Sequence, residues 1–273
     1  MWKKIPICDR IIVFQSGCIM VIRNIDLGKL DITNLIATKF DMSFYKIDGL
    51  FYKVMNSRKN IPLSKRAELG AAELTLDLLE GLGLGEMNEV CAPLEKLYHY
   101  DKFVGYTTTF LDGYTEFIIA TKKLDCHKKI ALLIELSKTV KKLHQRNILH
   151  TDLYSDNVLS NGNDIKIIDF DESNIFNEGN MVSFFNSPYA DIAEMNDLIL
   201  RTLIIPTNAG TYDNDNPISL PRDIKDYISR FDVNDERNCN GLIKAVMPSE
   251  YPHDWLNNLE NYIGVDGYLQ RNR

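Results

Sequence analysis

Three side chains between residues 150 and 171 have the types and order that phosphoryl transfer to a hydroxyl requires. Such a transfer needs a carboxylate to take the hydroxyl proton, and oxygen ligands for the metal ions that hold the phosphates and neutralise their charge. In HTDLYSDN at 150–157, Asp152 is followed five positions later by Asn157, and Asp169 comes after the short hairpin that ends in IKIIDFD. A solvated turn between strands would also collect aspartates, but it would not need a helix run-in, an amide at a fixed offset and a third acid at the end of a strand.

The elements around these residues are legible from periodicity. Leu132, Leu136, Val140 and Leu143 form one apolar stripe with lysines opposite, which predicts a helix over 127–146 running into the loop. NVL and IKIID flank the polar turn SNGND at 160–164 and predict two short strands. Upstream, residues 10–55 form β-like runs separated by Ser16-Gly17, Met42-Ser43 and Asp48-Gly49, the last a good two-residue hairpin signal. Ala67, Ala71, Leu74 and Leu78 recur at helical spacing and predict a helix over 63–80, ended by the glycines of GLGLG. Residues 89–112 return to strand composition, and helices are expected around 190–204, 221–231 and 252–263, with a polar loop at 207–216. The order predicts an α+β chain, a β-rich N-terminal lobe with one helix (1–111) and a mostly helical C-terminal lobe (112–273).

HTDLYSDN followed by DFD resembles the catalytic signature of the protein-kinase superfamily, H-R-D-L-x-x-x-N then D-F-G. The resemblance implies a bilobal kinase-like fold that uses ATP and Mg²⁺. Asp152 would orient and deprotonate the acceptor, and Asn157 and Asp169 would bind the metal. Lys53, mid-strand in LFYKVM, matches the family's lysine that contacts ATP phosphates. Its ion-pair partner would be a glutamate of the following helix; Glu68 and Glu73 both qualify, and Glu73 lies nearer the helix middle. The phosphate loop would be the turn Phe40-Asp41-Met42-Ser43, which has no glycine, so backbone N–H groups and the Ser43 hydroxyl would make its contacts. GLGLG is no substitute, because it follows a helix and lies after Lys53. In TTTFLDG, Thr108 would be the gatekeeper, and the Thr109 carbonyl and Leu111 amide would meet the adenine edge.

Several positions depart from the pattern. Thr151 replaces the arginine that pairs with a phosphorylated activation loop, which implies constitutive competence. Tyr154 stands where Ser/Thr kinases carry a lysine, and Asp171 replaces the glycine of D-F-G. The segment after Asp169 ends in SPYAD rather than A-P-E, so the aminoglycoside- and choline-kinase-like branch is also similar. Either Asp191 or Asp197 would brace the catalytic loop. The expected activity is transfer to Ser/Thr of a protein, with a small-molecule alcohol as the second acceptor class and a non-catalytic binding module as the third reading.

Composition limits the other classes. With 45% hydrophobic and 25% charged residues the chain can bury a real core, and a net charge of −7 argues against a nucleic-acid partner, which needs a basic face. The five cysteines (Cys8, Cys18, Cys91, Cys126, Cys239) show no zinc spacing. The apolar run Ile11–Phe14 is broken by Gln15, Ser16 and Gly17, and no stretch reaches the ~20 apolar residues of a membrane span, so a cytoplasmic protein with reduced thiols is expected.

Overall fold

A computed structural model describes residues 10–11, 20–39, 41–55, 63–176, 181–182, 184–203, 221–232, 243–244, 247–259 and 263. The turn residue Phe40, the loop 207–216, most of the run 11–14 and Cys8, Cys18 and Cys239 lie outside them. The architecture is α+β. The chain divides into two compact units, Met1–Asp112 with Ile168–Glu172, and Gly113–Ile167 with Ser173–Arg273.

The first unit is built on one sheet. Its strands are β1 (Arg10–Ile11), β2 (Val21–Asn24), β3 (Leu35–Lys39), β4 (Met42–Ile47), β5 (Leu50–Met55), β6 (Glu95–His99) and β7 (Lys102–Thr109), in the order β1-β2-β6-β7-β5-β4-β3. Among the described residues, β2 and β6 run parallel and the other pairs of this sheet are antiparallel. Asp48 and Gly49, both at positive φ, make the tight turn between β4 and β5 that Asp-Gly predicts. Helix α1 (Leu63–Gly81) covers one face, where Leu76 packs with Met20, Phe103 and Tyr106. Tyr52, Val54, Leu97 and Val104 form the core on the other face, with Leu27, Tyr45 and Ile47 against them.

The buried face of α1 is not the stripe of Ala67, Ala71, Leu74 and Leu78. Leu74 and Leu78 are 60% and 47% exposed, whereas Leu76 and Leu79 are fully buried and Leu69 and Ala72 flank them. The helix carries two apolar stripes, one of small residues and leucines and one richer in leucine. The sheet takes the bulkier one, which removes more apolar area from water.

Gly105 sets the spacing in the middle of this sheet. Its φ is +152°, and a Cβ there would lie 1.9 Å from the Lys53 carbonyl oxygen, so only glycine lets β7 pass this close to β5.

The second unit contains β8 (Thr115–Glu116), α2 (Phe117–Thr121), α3 (Cys126–Gln145), β9 (Ile148–Leu149), β10 (Val158–Ser160), β11 (Ile165–Ile167), β12 (Asn174–Ile175), β13 (Met181–Val182), α4 (Pro188–Leu203), α5 (Arg222–Ser229), β14 (Ile243–Lys244) and α6 (Pro252–Leu256). The Asp125 side chain caps α3 by accepting from the Lys128 N–H, and Leu132, Leu136, Val140 and Leu143 are all buried, as the periodicity predicts. Helices α4 and α6 pack on α3, and a small sheet of order β11-β10-β8 and the pair β9–β12 frame the loop 150–157. No helix among the described residues is long and apolar enough to cross a membrane.

Candidate active site

Lys53 projects from β5 opposite the face of Tyr52 and Val54, because side chains alternate along a strand. Its direct partner in β7 is Tyr106, and both side chains reach the turn Phe170–Glu172, which returns to the first unit. The Lys53 Nζ donates to Asp169 Oδ1 at 2.5 Å and lies 3.0 Å from each Asp171 carboxylate oxygen. The Tyr106 hydroxyl donates to the same Asp169 oxygen at 2.7 Å. Phe170, 1% exposed, anchors the turn in the core and leaves the two aspartates flanking it. Asp169 has φ +68°, an unfavourable backbone conformation for a residue other than glycine, and such outliers concentrate where function fixes the geometry.

The electrostatics of this cluster follow from one cation between two partly buried acids. Burial pushes Asp169 up, but the Lys53 charge and hydrogen bonds outweigh it and hold the carboxyl down at about 2. Asp171 is pushed up to about 7 by burial first and by the Asp169 charge second. At Lys53, burial favours the neutral amine, and the two carboxylates overcome it and raise the pKa. The Tyr106 hydroxyl is raised well above its ordinary value, by burial and then by the Asp169 charge.

Glu73 is not part of this cluster. Its carboxylate accepts a hydrogen bond from the Tyr98 hydroxyl, so the expected Lys53–Glu73 ion pair is not formed. The alternative, Glu68, is exposed one turn earlier. The reason is reach and competition: two aspartates beside β7 satisfy the lysine, and Tyr98, on β6 under the helix, takes the glutamate.

Ser43 is also placed differently from expectation. It lies inside β4, paired with Thr38 and Val54 and 5% exposed, not in the turn. The strand extends to Met42, so the connection to β3 is shorter than the expected four-residue loop. At the end of β7, Thr108 is buried, and the Thr109 carbonyl accepts long contacts from the Cys91 thiol and the Thr108 hydroxyl, both 3.4 Å. The Leu111 N–H has no hydrogen-bond partner among the described residues, which leaves it open to an acceptor.

In the second unit the loop 150–157 is held by α4. The fully buried Asp191 carboxylate accepts from the backbone N–H groups of His150 (2.9 Å) and Thr151 (2.8 Å) and from His144 Nε2 (2.8 Å). Burial raises the Asp191 carboxyl, but the hydrogen bond from His144 leads the opposing effects and keeps it below the ordinary value. Thr151 is in the left-handed region, φ +63°, and the two N–H bonds fix it there. Of the two candidate braces, Asp191 fills the role; Asp197 pairs with Arg201 on its own helix. A third acid, missed from sequence, helps: Glu194 accepts from the Leu153 N–H at 2.6 Å. One turn after Asp191, its only sequence signal is that spacing. Burial, then the Asp191 and Asp152 charges, push Glu194 up to about 7.

Asn157 donates to the Asp152 backbone carbonyl (2.8 Å) and to Asp152 Oδ2 (2.7 Å), so the amide orients the carboxylate. Both amide hydrogens are used, and the Asn157 side-chain carbonyl makes no hydrogen bond to the described residues. A carbonyl oxygen and a carboxylate such as Asp169 are the hard ligands Mg²⁺ prefers. Among the described residues no group of three or more His, Cys, Asp or Glu forms a self-contained metal site.

Residues 95–190, about a third of the chain, match the family model of the protein kinase domain. The matched stretch holds β6, β7, α3, Asp152, Asn157 and Asp169 and ends at the start of α4. No curated protein matches the chain.

Proposed function

We propose that this chain, which belongs to the protein-kinase-like superfamily and is therefore suited to phosphotransfer from ATP, moves the γ-phosphate to the hydroxyl of serine or threonine on a protein. The observation that carries the reading is the Asp152–Asn157 pair. It presents a carboxylate, oriented by an amide and in a loop braced from α4, of the kind that takes an acceptor proton. The acceptor oxygen bonds to the γ-phosphorus as the bond to the leaving ADP oxygen breaks, and the hydroxyl proton goes to Asp152. Lys53 neutralises phosphate charge. Asn157 and Asp169 are the residues that would hold Mg²⁺, which supplies charge neutralisation on the phosphates when bound. The Leu111 N–H and Thr109 carbonyl would take the adenine edge through backbone hydrogen bonds.

A second acceptor class, a small alcohol, is favoured by two observations. Asp171 adds a carboxylate beside Asp169, and the exposed Tyr154 takes the place of a lysine near Asp152 and Glu194.

One incubation tests both. Purified protein with Mg·ATP is assayed for ADP release and for phosphate on itself, on protein substrates and on a panel of small alcohols, alongside Asp152→Asn. Labelled protein and a large loss of turnover in Asp152→Asn are expected. Labelled alcohol without labelled protein moves the assignment to the second class, and wild-type turnover in Asp152→Asn overturns the reading.

A further inference from the structure

Resting on that reading, we propose that Asp171 is the carboxylate that positions Lys53 for the nucleotide phosphates, in place of a glutamate from α1. Every observation bearing on Lys53 points to the turn and not to the helix. Asp171 places both of its oxygens 3.0 Å from Nζ, a symmetrical grip, while Asp169 offers one oxygen, closer at 2.5 Å; the Tyr106 hydroxyl reaches that oxygen at 2.7 Å and Asp171 only at 3.5 Å. If Asp169 held a metal ion, Asp171 would be the carboxylate left for the lysine. Two acids in the middle of α1 are engaged elsewhere: Glu73 with Tyr98 and Asp77 with the buried Lys96. The substitution of Asp for the glycine of D-F-G thereby acquires a purpose. It brings the lysine's counter-charge on the same turn as the metal ligand, two residues away and pinned by the buried Phe170.

The consequence is regulatory as well as catalytic. Where a helix glutamate holds the lysine, swinging the helix away disarms the site. With Asp171 in that role, the grip on phosphate no longer depends on where α1 sits, which agrees with the missing arginine at Thr151. Asp171 is a positioning residue here, since it acts on substrate through Lys53.

The test is equilibrium binding of ADP by calorimetry, once with Mg²⁺ and once in EDTA, for wild type, Asp171→Asn, Glu73→Gln, Lys53→Met and the double variant Lys53→Met/Asp171→Asn. Loss of a charged hydrogen-bonding partner predicts about tenfold weaker binding for Asp171→Asn in both conditions. The Glu73→Gln shift should be clearly smaller. Asp171→Asn should add nothing in the Lys53→Met background, because the effect passes through the lysine. The proposal is overturned if Glu73→Gln carries the loss, if Asp171→Asn weakens binding only with Mg²⁺ (a metal ligand instead), or if its effect persists without Lys53. Should Asp171→Asn fail to fold, Glu73→Gln decides: a tenfold loss there overturns the proposal, and wild-type affinity supports it. A wild-type chain that binds no ADP refutes the kinase reading itself, whereas ADP binding insensitive to Asp171→Asn refutes only this inference.

Discussion

Replacing Asp191 by alanine should both destabilise the protein and disarm Asp152. The carboxylate accepts from His144 Nε2, His150 N and Thr151 N at 2.8–2.9 Å with no solvent exposure. Its removal leaves three donors without an acceptor, two of them on residues that are themselves buried. Each stranded donor costs roughly 1–3 kcal/mol, and breaking a buried polar network of this kind costs about 3–5 kcal/mol in all. For a chain of this size 1 kcal/mol moves Tm by about 2–4 °C, so a fall of roughly 10–15 °C is expected. Function should suffer more than stability accounts for. Thr151 occupies the left-handed region, at a cost of about 1–2 kcal/mol, only while its N–H is held, and Asp152 is the next residue. Release of that conformation would misplace the proposed base and should lower kcat by about a hundredfold at temperatures where the variant is still folded. Asp191→Asn should be milder, since it keeps one acceptor oxygen but turns an NH₂ group toward a donor. The depressed carboxyl also fixes a sign: its stabilisation is present above the ordinary value of 3.8 and disappears as pH falls through the lower folded value. The Tm gap between wild type and Asp191→Asn should therefore narrow in acid. Thermal unfolding followed by circular dichroism, with ADP release measured on the same samples, checks each part. An Asp191→Ala protein melting within 2 °C of wild type with unchanged kcat would refute the bracing argument.

Two further perturbations follow from single observations. Gly105→Ala places a Cβ 1.9 Å from the Lys53 carbonyl at φ +152°, so the β5–β7 spacing must open at a cost of roughly 3 kcal/mol, whereas Gly70→Ala on α1 meets nothing and should be neutral or stabilising by about 0.5–1 kcal/mol. Urea midpoints rank the two, and equal midpoints would contradict the close approach. Glu194 has a folded pKa raised to about 7 from 4.5, so the folded state holds a proton the unfolded chain has already lost; this contribution is complete below pH 4.5 and is lost as pH rises through 7. Wild type should lose stability relative to Glu194→Gln between pH 5 and 8, and a difference that stays constant across that range would show that the carboxyl is not held protonated.

Local signals located the candidate loop because local physics suffices to write it. The five-residue spacing of Asp152 and Asn157 is a loop property, and their hydrogen bond at 2.7 Å is made within that loop. The stripe of α3 is strong enough that one face alone can be buried, and Asp-Gly admits few turns other than the one it forms. Lys53 was legible as a strand lysine, though not which acid would meet it.

What remained illegible depends on residues far apart in the chain. Which stripe of α1 is buried was decided by the sheet beneath it, because Ala67/Ala71/Leu74/Leu78 and Leu69/Ala72/Leu76/Leu79 both repeat at helical spacing and only packing ranks them. The partner of Lys53 was decided by the return of Phe170–Glu172 to β5 and β7, more than a hundred residues from the lysine, and by Tyr98 taking Glu73. Tyr106 carries no motif, yet its register opposite Lys53 puts its hydroxyl on Asp169. Asp191 and Asp197 look alike in sequence; a turn and a half of helix puts the first against the loop and leaves the second beside Arg201. Sequence by itself determined which residues could do the chemistry. Only the tertiary structure decided which of them hold one another, since electrostatic and hydrogen-bond partners are chosen by distances that side-chain periodicity does not encode.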